Sequence, residues 1–409
     1  MVYIKRDIED ILNKYLNTKE ILAIIGARQC GKTTLIDNIL KNLEKKGKKI
    51  SSVSFDNVKE LQLFENDIDS FIELYVKGYD FLFVDEVQYS KESGKKLKYI
   101  YDKHKIKIFI SGSSAAELSI QSSKYLVGRV FVFTLYPFSF KEFLRAKNQK
   151  LLFLFESGNY KKEITLELNK HLGEFILYGG YPRVILAESI DEKQTILENI
   201  YNTYLLKEIR EILELSNDYK LINLIKALSL QTGNIINYNG LSTITGFSYR
   251  ELKNYLNILE KTFICSQIKP FYTNKRTELV KSPKIYFYDL GFRNVSIDNF
   301  SRERTDIGSM YENFIFSELV KNDIFPKYWH TKSGAEIDFI IEKENMIIPV
   351  EVKTTISKET LTKPFYAFVE KYKPKKGYIA SLSFESKKKI NGCEITFIPL
   401  LKLINLLKI

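Results

Sequence analysis

Apolar positions along the chain fall into three successive rhythms. In the first, Ile8, Ile11, Leu12 and Tyr15 recur at helical spacing and predict an amphipathic helix over 1–20. Ile21 to Ile25 form an unbroken apolar run, the pattern of a parallel strand buried on both faces. Gly26 ends it. Beyond Lys32 the period turns helical, with Leu35, Ile36, Ile39, Leu40 and Leu43 on one side and Lys45, Lys46 and Gly47 closing the helix. Further strands are predicted at 49–55, at 81–88 (FLFVDEVQ) and at 105–114 (KIKIFISGSS), with an aromatic-rich strand and turn over 131–146. Strands alternating with helices predict a parallel α/β sheet.

The second rhythm, from about 150 to 262, is nearly all helical, with breaks at Gly179-Gly180, Pro182 and Gly233. Its last part holds three helices (218–230, 241–246 and 248–262), a strand ICSQIKPFY, a basic loop TNKRTELVKSP and a strand KIYFYD, which is the outline of a winged helix. The third rhythm begins near 300. A helix over 310–322 precedes two strands, 334–342 and 346–355, divided by the turn KEN; a helix PFYAFVEKYK and a strand GYIASLS follow. The expected division is therefore 1–146, a parallel-sheet domain; 147–217, a helical linker or lid; 218–298, a winged helix; and 299–409, a further α/β domain.

Composition narrows the class. The chain has 409 residues, 44% hydrophobic and 27% charged, which excludes a disordered or collagen-like chain and suggests roughly two or three domains. No apolar stretch reaches the length of a membrane span, and the N-terminus lacks the apolar core of a signal peptide, so a cytoplasmic, non-membrane protein is expected. Cys30, Cys265 and Cys393, and His104, His171 and His330, show no disulfide or zinc spacing. The net charge of +12 suits a polyanion such as double-stranded DNA, or else reflects a Lys- and Ile-rich composition.

The chemistry begins at Gly26-Ala27-Arg28-Gln29-Cys30-Gly31-Lys32-Thr33-Thr34, a G-x-x-x-x-G-K-[ST] sequence between a buried strand and a helix start. The glycines let backbone N–H groups turn toward phosphate oxygens, and the helix N-terminus adds positive partial charge. Lys32 is expected to reach the β- and γ-phosphates of a bound nucleotide, and the Thr33 hydroxyl to ligate Mg²⁺. Asp85 and Glu86 end a buried strand on the same side, where ligands of parallel sheets bind. Asp85 is expected to hold Mg²⁺ through water and Glu86 to activate the attacking water. The next strand ends in Ser111-Gly112-Ser113-Ser114, with Ser113 the candidate sensor of the γ-phosphate. Arg129, just before a strand, is either a finger for a neighbouring subunit of a homo-oligomer or a surface salt-bridge partner.

A second constellation lies in the last hundred residues. Strand alternation puts Glu351 and Lys353 on one face of 346–355, and one hairpin turn can bring Asp338 beside Glu351. Asp338 and Glu351 are candidate metal ligands, Lys353 a group that positions water, and Glu312 a further ligand from the preceding helix. The alternative is a domain that packs or touches DNA without cutting it. In the candidate winged helix, Arg250, Lys253 and Asn254 stand at the start of the third helix and Lys275 and Arg276 on the wing, placed for DNA or for a protein partner.

These residues resemble the AAA+-type P-loop ATPases. The order of KRDI (5–8), GARQCGKTT, FVDEVQ, SGSSA, LVGRV, YPFSFKEFL, GGYPRV, PKIYFYDLGFRN, EIDFI and VEVK is similar to a family of bacterial and archaeal ATPases with an attached domain of unknown function. Helix with Glu, strand with Asp, strand with E-x-K, helix and strand resembles the PD-(D/E)xK restriction-endonuclease-like fold. The resemblance implies binding and Mg²⁺-dependent hydrolysis of ATP, coupled to DNA or a protein partner. An ATP-regulated DNA nuclease and a non-hydrolysing nucleotide switch are the alternatives.

Overall fold

The computed structural model describes residues 3–113, 125–158, 160–203, 209–213, 218–331, 333–344 and 346–407. The chain divides into two compact units, one of Met1–Phe138 with Lys261–Phe263 and one of Ser139–Glu260 with Ile264–Ile409.

The first unit is built on five parallel strands: β1 (Ile21–Ile25), β2 (Ile50–Ser54), β3 (Phe81–Asp85), β4 (Lys107–Gly112) and β5 (Val130–Thr134), in the order β2-β3-β4-β1-β5. β1, buried along its whole length, lies between β4 and β5. The helix Lys32–Glu44 leaves β1 and packs Leu35, Ile36, Ile39 and Leu40 against Leu22, Ile24, Phe83 and Phe109. Each such side chain contributes about 1.5–3 kcal/mol when removed from water. Registers pair Ile25 with Gly112 and Val84 with Ile110, so the ends of β1, β3 and β4 come out side by side. The helix expected over 1–20 is shorter, Glu9–Lys14. Residues 15–20 must leave the helix to enter β1, and Lys107 Nζ takes up the freed carbonyls of Thr18 and Glu20 at 2.8 and 2.6 Å.

The second unit opens at Ser139, whose hydroxyl accepts from the Glu142 N–H in a capping box that starts the helix Phe140–Lys147. That helix therefore belongs to the second unit, which begins eight residues before the expected boundary. Helices Gln149–Ser157, Lys162–Tyr178, Pro182–Leu186 and Ile190–Thr203 follow. Two of the sequence words quoted above meet here. The Asp289 carboxylate accepts from the Gly180 N–H at 2.6 Å, Asn294 Nδ2 donates to the carbonyls of Ile176 and Leu177, and a Cβ on Gly291 would sit 2.2 Å from the Tyr178 carbonyl oxygen. GGYPRV and YDLGFRN are thus packing elements.

Helices Asp218–Leu230, Tyr238–Thr245 and Tyr249–Lys261 lead to an antiparallel pair, β6 (Cys265–Ile268) and β7 (Lys284–Phe287). The segment between these strands, expected as a basic loop, carries a helix, Lys275–Val280, because the Asn274 side chain accepts from the Arg276 N–H at 3.0 Å and caps it. The remaining strands are β8 (Lys327–His330), β9 (Glu336–Lys343), β10 (Met346–Val352), β11 (Lys376–Ser381), β12 (Ser386–Ile390) and β13 (Cys393–Pro399). They form a mixed sheet in the order β12-β13-β11-β10-β9-β8. The helix Lys363–Tyr372 buries Phe365, Phe368 and Val369 in a core shared with Ile337, Ile340 and Ile379 of this sheet. The helix Ile307–Lys321 is buried nearly all round. No helix among the described residues is long and apolar enough to cross a membrane.

Candidate nucleotide site and acidic cluster

The loop from Gly26 to Gly31 turns at the end of β1 through two left-handed positions, Gln29 (φ 59°) and Gly31 (φ 96°). Gly26 is forced by space: a Cβ there would stand 2.1 Å from the Leu135 carbonyl oxygen. The Cys30 side chain is buried in the core under the sheet's helix, so it contributes packing. Arg28 shares a side-chain hydrogen bond with Tyr89. Lys32 is buried, and its Nζ donates to the carbonyls of Gly26 and Ala27 at 3.0 and 2.9 Å, so the ammonium sits inside the curl of the loop. Thr33 and Thr34 are exposed at the first turn of the helix.

The ends of β3 and β4 complete the site. Thr33 Oγ1 donates to Asp85 Oδ2 at 3.1 Å, and the Ser111 hydroxyl donates to Asp85 Oδ1. The hydroxyl on the Asp85 carboxylate is thus Ser111, while Ser113, the candidate sensor of the γ-phosphate, is buried past the end of β4. Ser114 lies outside the described residues. Glu86 adopts a left-handed conformation (φ 52°, ψ 48°), costing about 1–2 kcal/mol for a residue with a Cβ, and Gln88 Nε2 donates to its Oε2. Asp37 stands near enough to Asp85 to feel its charge; burial, then that charge, lifts its carboxyl above the usual range.

Arg6, quoted in the sequence only within KRDI, carries no role there. It is buried, donates from Nη1 to the Cys30 carbonyl at 2.8 Å and from Nη2 to the Tyr136 carbonyl at 2.6 Å, and lies 4.7 Å over the Phe138 ring. It therefore ties the phosphate loop to the chain leaving β5. Arg129 precedes β5 at the end away from the loop, where it pairs with Asp102 at 3.1 Å. It is not brought to the phosphate loop of its own chain.

In the second unit β9 and β10 pair Phe339 with Val350, which sets Asp338 opposite Glu351 on one face, as expected. Asp338 Oδ2 accepts from the Val352 N–H at 2.7 Å. Glu351 is buried; its Oε1 meets Lys353 Nζ at 2.7 Å and its Oε2 accepts from the Thr362 hydroxyl at 2.9 Å. Glu312 reaches the cluster from its helix, where Lys284 Nζ lies 3.2 Å from Oε1 and the Tyr286 hydroxyl donates to the same oxygen. Lys284 also meets Glu336 Oε1 at 2.5 Å. Burial first, and then the Glu312 charge, push the Asp338 carboxyl up to about 8. Glu336, Lys284 and Tyr286 were not singled out in the sequence. Among the described residues, no group of three or more His, Cys, Asp or Glu side chains is arranged to hold a metal ion.

Arg250, Lys253 and Asn254 are exposed on the helix Tyr249–Lys261, with Lys253 Nζ 4.7 Å over the Tyr249 ring. Lys275, expected to face phosphate, is held by Glu278 and Glu342 at 3.2 and 3.1 Å, while Arg276 is exposed.

Comparison with known proteins divides the chain in three. Residues 18–144 match the family model of an AAA domain, and residues 169–303 and 307–403 match two domains of unknown function, DUF8612 and DUF4143. An uncharacterized protein of Haemophilus influenzae is 27% identical over 362 residues, 85% of this chain and 86% of its own. An uncharacterized protein of Methanocaldococcus jannaschii is 26% identical over 352 residues, 84% and 76% of the two chains. The structure of the Aeropyrum pernix ORC1 protein in complex with DNA aligns with 73% of this chain and 93% of its own, at 11% identity and a TM-score of 0.32.

Proposed function

With residues 18–144 forming an AAA-type P-loop domain, we propose that the protein binds and hydrolyses ATP and passes the change of nucleotide state to duplex DNA through its second unit. The observation that carries the ATPase reading is the joining of Lys32, Thr33, Asp85 and Ser111 at neighbouring strand ends, beside a constrained Glu86. The N–H groups of Ala27 to Thr34 and the Lys32 ammonium bind the triphosphate; Lys32 exchanges two loop carbonyls for β- and γ-phosphate oxygens. The donor set suits Mg²⁺: Thr33 offers a hydroxyl and Asp85 an anionic oxygen within hydrogen-bond reach of it. Mg²⁺ held by Thr33, and through water by Asp85, would supply charge neutralisation on the β- and γ-phosphates. Glu86 orients the attacking water and accepts its proton, while Gln88 fixes the carboxylate. Ser111 keeps Asp85 aimed and reports its position to β4.

Three helices with a strand pair suit a winged helix, and exposed Arg250, Lys253 and Asn254 on the third helix supply its DNA face. The test is steady-state phosphate release with and without duplex DNA. Stimulation by DNA that disappears when Arg250 and Lys253 become Glu supports the coupling. Turnover indifferent to DNA, with no DNA binding at low salt, refutes it. Turnover absent under every condition, with ATP tightly bound, leaves a nucleotide switch.

A further inference from the structure

A nuclease-like centre needs a cation among its acids, and in this chain a buried lysine lies among them. Lys284 has its side chain 1% exposed, on a strand outside the mixed sheet that carries Asp338 and Glu351. Its ammonium lies 3.2 Å from Glu312 Oε1 and 2.5 Å from Glu336 Oε1, and it feels the charge of Asp338. Tyr286, two residues on, donates its hydroxyl to Glu312. Gly233 closes the other side: a Cβ there would stand 3.3 Å from Glu312 Oε2. The remaining acid, Glu351, has one oxygen on Lys353 and the other on Thr362.

We propose that Lys284 is the resident cation of this cluster, neutralising Glu312 and Glu336 beside Asp338 in place of a divalent metal and fastening the strand pair β6–β7 to the mixed sheet. The physical reason is charge balance. Buried carboxylates that share a site repel each other, and a lone buried ammonium is equally costly; together they satisfy each other. With Glu312 already paired to a buried lysine, a divalent ion would have to break that pair before it could use Glu312. The domain therefore acts as an architectural element and does not cut DNA. The donor set that suggests a metal in the sequence does not fit one in the fold.

The experiment removes the lysine's charge and counts metal. In an Asp85→Asn background, which keeps the nucleotide site from contributing, Mn²⁺ uptake by the full chain is followed through the spin-resonance signal of free Mn²⁺. The expected result is no uptake that depends on Asp338, and no Mn²⁺-dependent cleavage of duplex DNA. Lys284→Met should gain one Mn²⁺ per chain, lost again on adding Asp338→Asn or Glu312→Gln. Uptake with Lys284 present that vanishes in Asp338→Asn overturns the proposal, as does a folded Lys284→Met that takes up none. If Lys284→Met does not fold, Lys284→Met/Glu312→Gln is the second measurement. It removes one charge of each sign and should recover folding, and failure to recover would equally overturn the proposal.

Discussion

Replacing Arg6 by Met isolates what holds the phosphate loop in shape. Met keeps an apolar side chain over the Phe138 ring but loses the donors to the Cys30 and Tyr136 carbonyls. Bonds from a charged donor are worth about 1.5–3 kcal/mol each, and the two share one guanidinium, so they do not add in full. A loss of about 3 kcal/mol follows, most of it from carbonyls left buried without their partner. For a unit of this size that corresponds to a fall of about 10 °C in the melting temperature of the first unit. Arg6→Lys, with one ammonium in place of a two-armed fork, should lose part of this. The loop should also become less well organised for phosphate, and a tenfold weaker ATP affinity would correspond to about 1.4 kcal/mol. Differential scanning calorimetry with and without ATP, and titration calorimetry, read both quantities. An Arg6→Met protein that melts and binds ATP like the wild type would refute the idea that Arg6 clamps the loop.

Two further expectations rest on space and charge. Gly26→Ala puts a Cβ 2.1 Å from the Leu135 carbonyl oxygen, about an ångström inside normal contact, so the loop or β5 must shift; ATP affinity should drop and stability fall by about 1–3 kcal/mol, both measurable by calorimetry. Burial, then Glu312, raise the Asp338 carboxyl from 3.8 to about 8, so between those values the folded state keeps a proton that the unfolded chain has released. Stability of the second unit should therefore decline as pH rises through that window, and denaturant titrations of Asp338→Asn should show a shallower decline.

The phosphate loop was readable because its elements are contiguous: an apolar run, a glycine turn and a helical period occupy Ile21 to Leu43 without interruption. Asp338 facing Glu351 was readable too, since one hairpin and a two-residue period fix the register. What stayed hidden depends on contacts distant in sequence. Arg6 meets carbonyls 24 and 130 residues away. Ser111 and Ser113 share a strand parity, and only the neighbouring β3 decides which hydroxyl meets Asp85. Lys284 reads as one polar residue in a short strand; its partners Glu312 and Glu336 come later, one on a helix and one on another sheet. Nothing in the segment around Lys275 reveals its ion-pair partner Glu342, 67 residues on.

The central claim is that the Lys32–Thr33–Asp85–Glu86 constellation hydrolyses ATP, and one paired measurement addresses it most directly: ATP binding and single-turnover phosphate release in wild type, Lys32→Ala and Glu86→Gln. The account predicts that Lys32→Ala loses ATP affinity, whereas Glu86→Gln binds ATP as tightly as wild type and releases phosphate on the order of a hundredfold more slowly, the loss typical of a general base. Wild-type phosphate release from Glu86→Gln, or unchanged ATP affinity in Lys32→Ala, would contradict it.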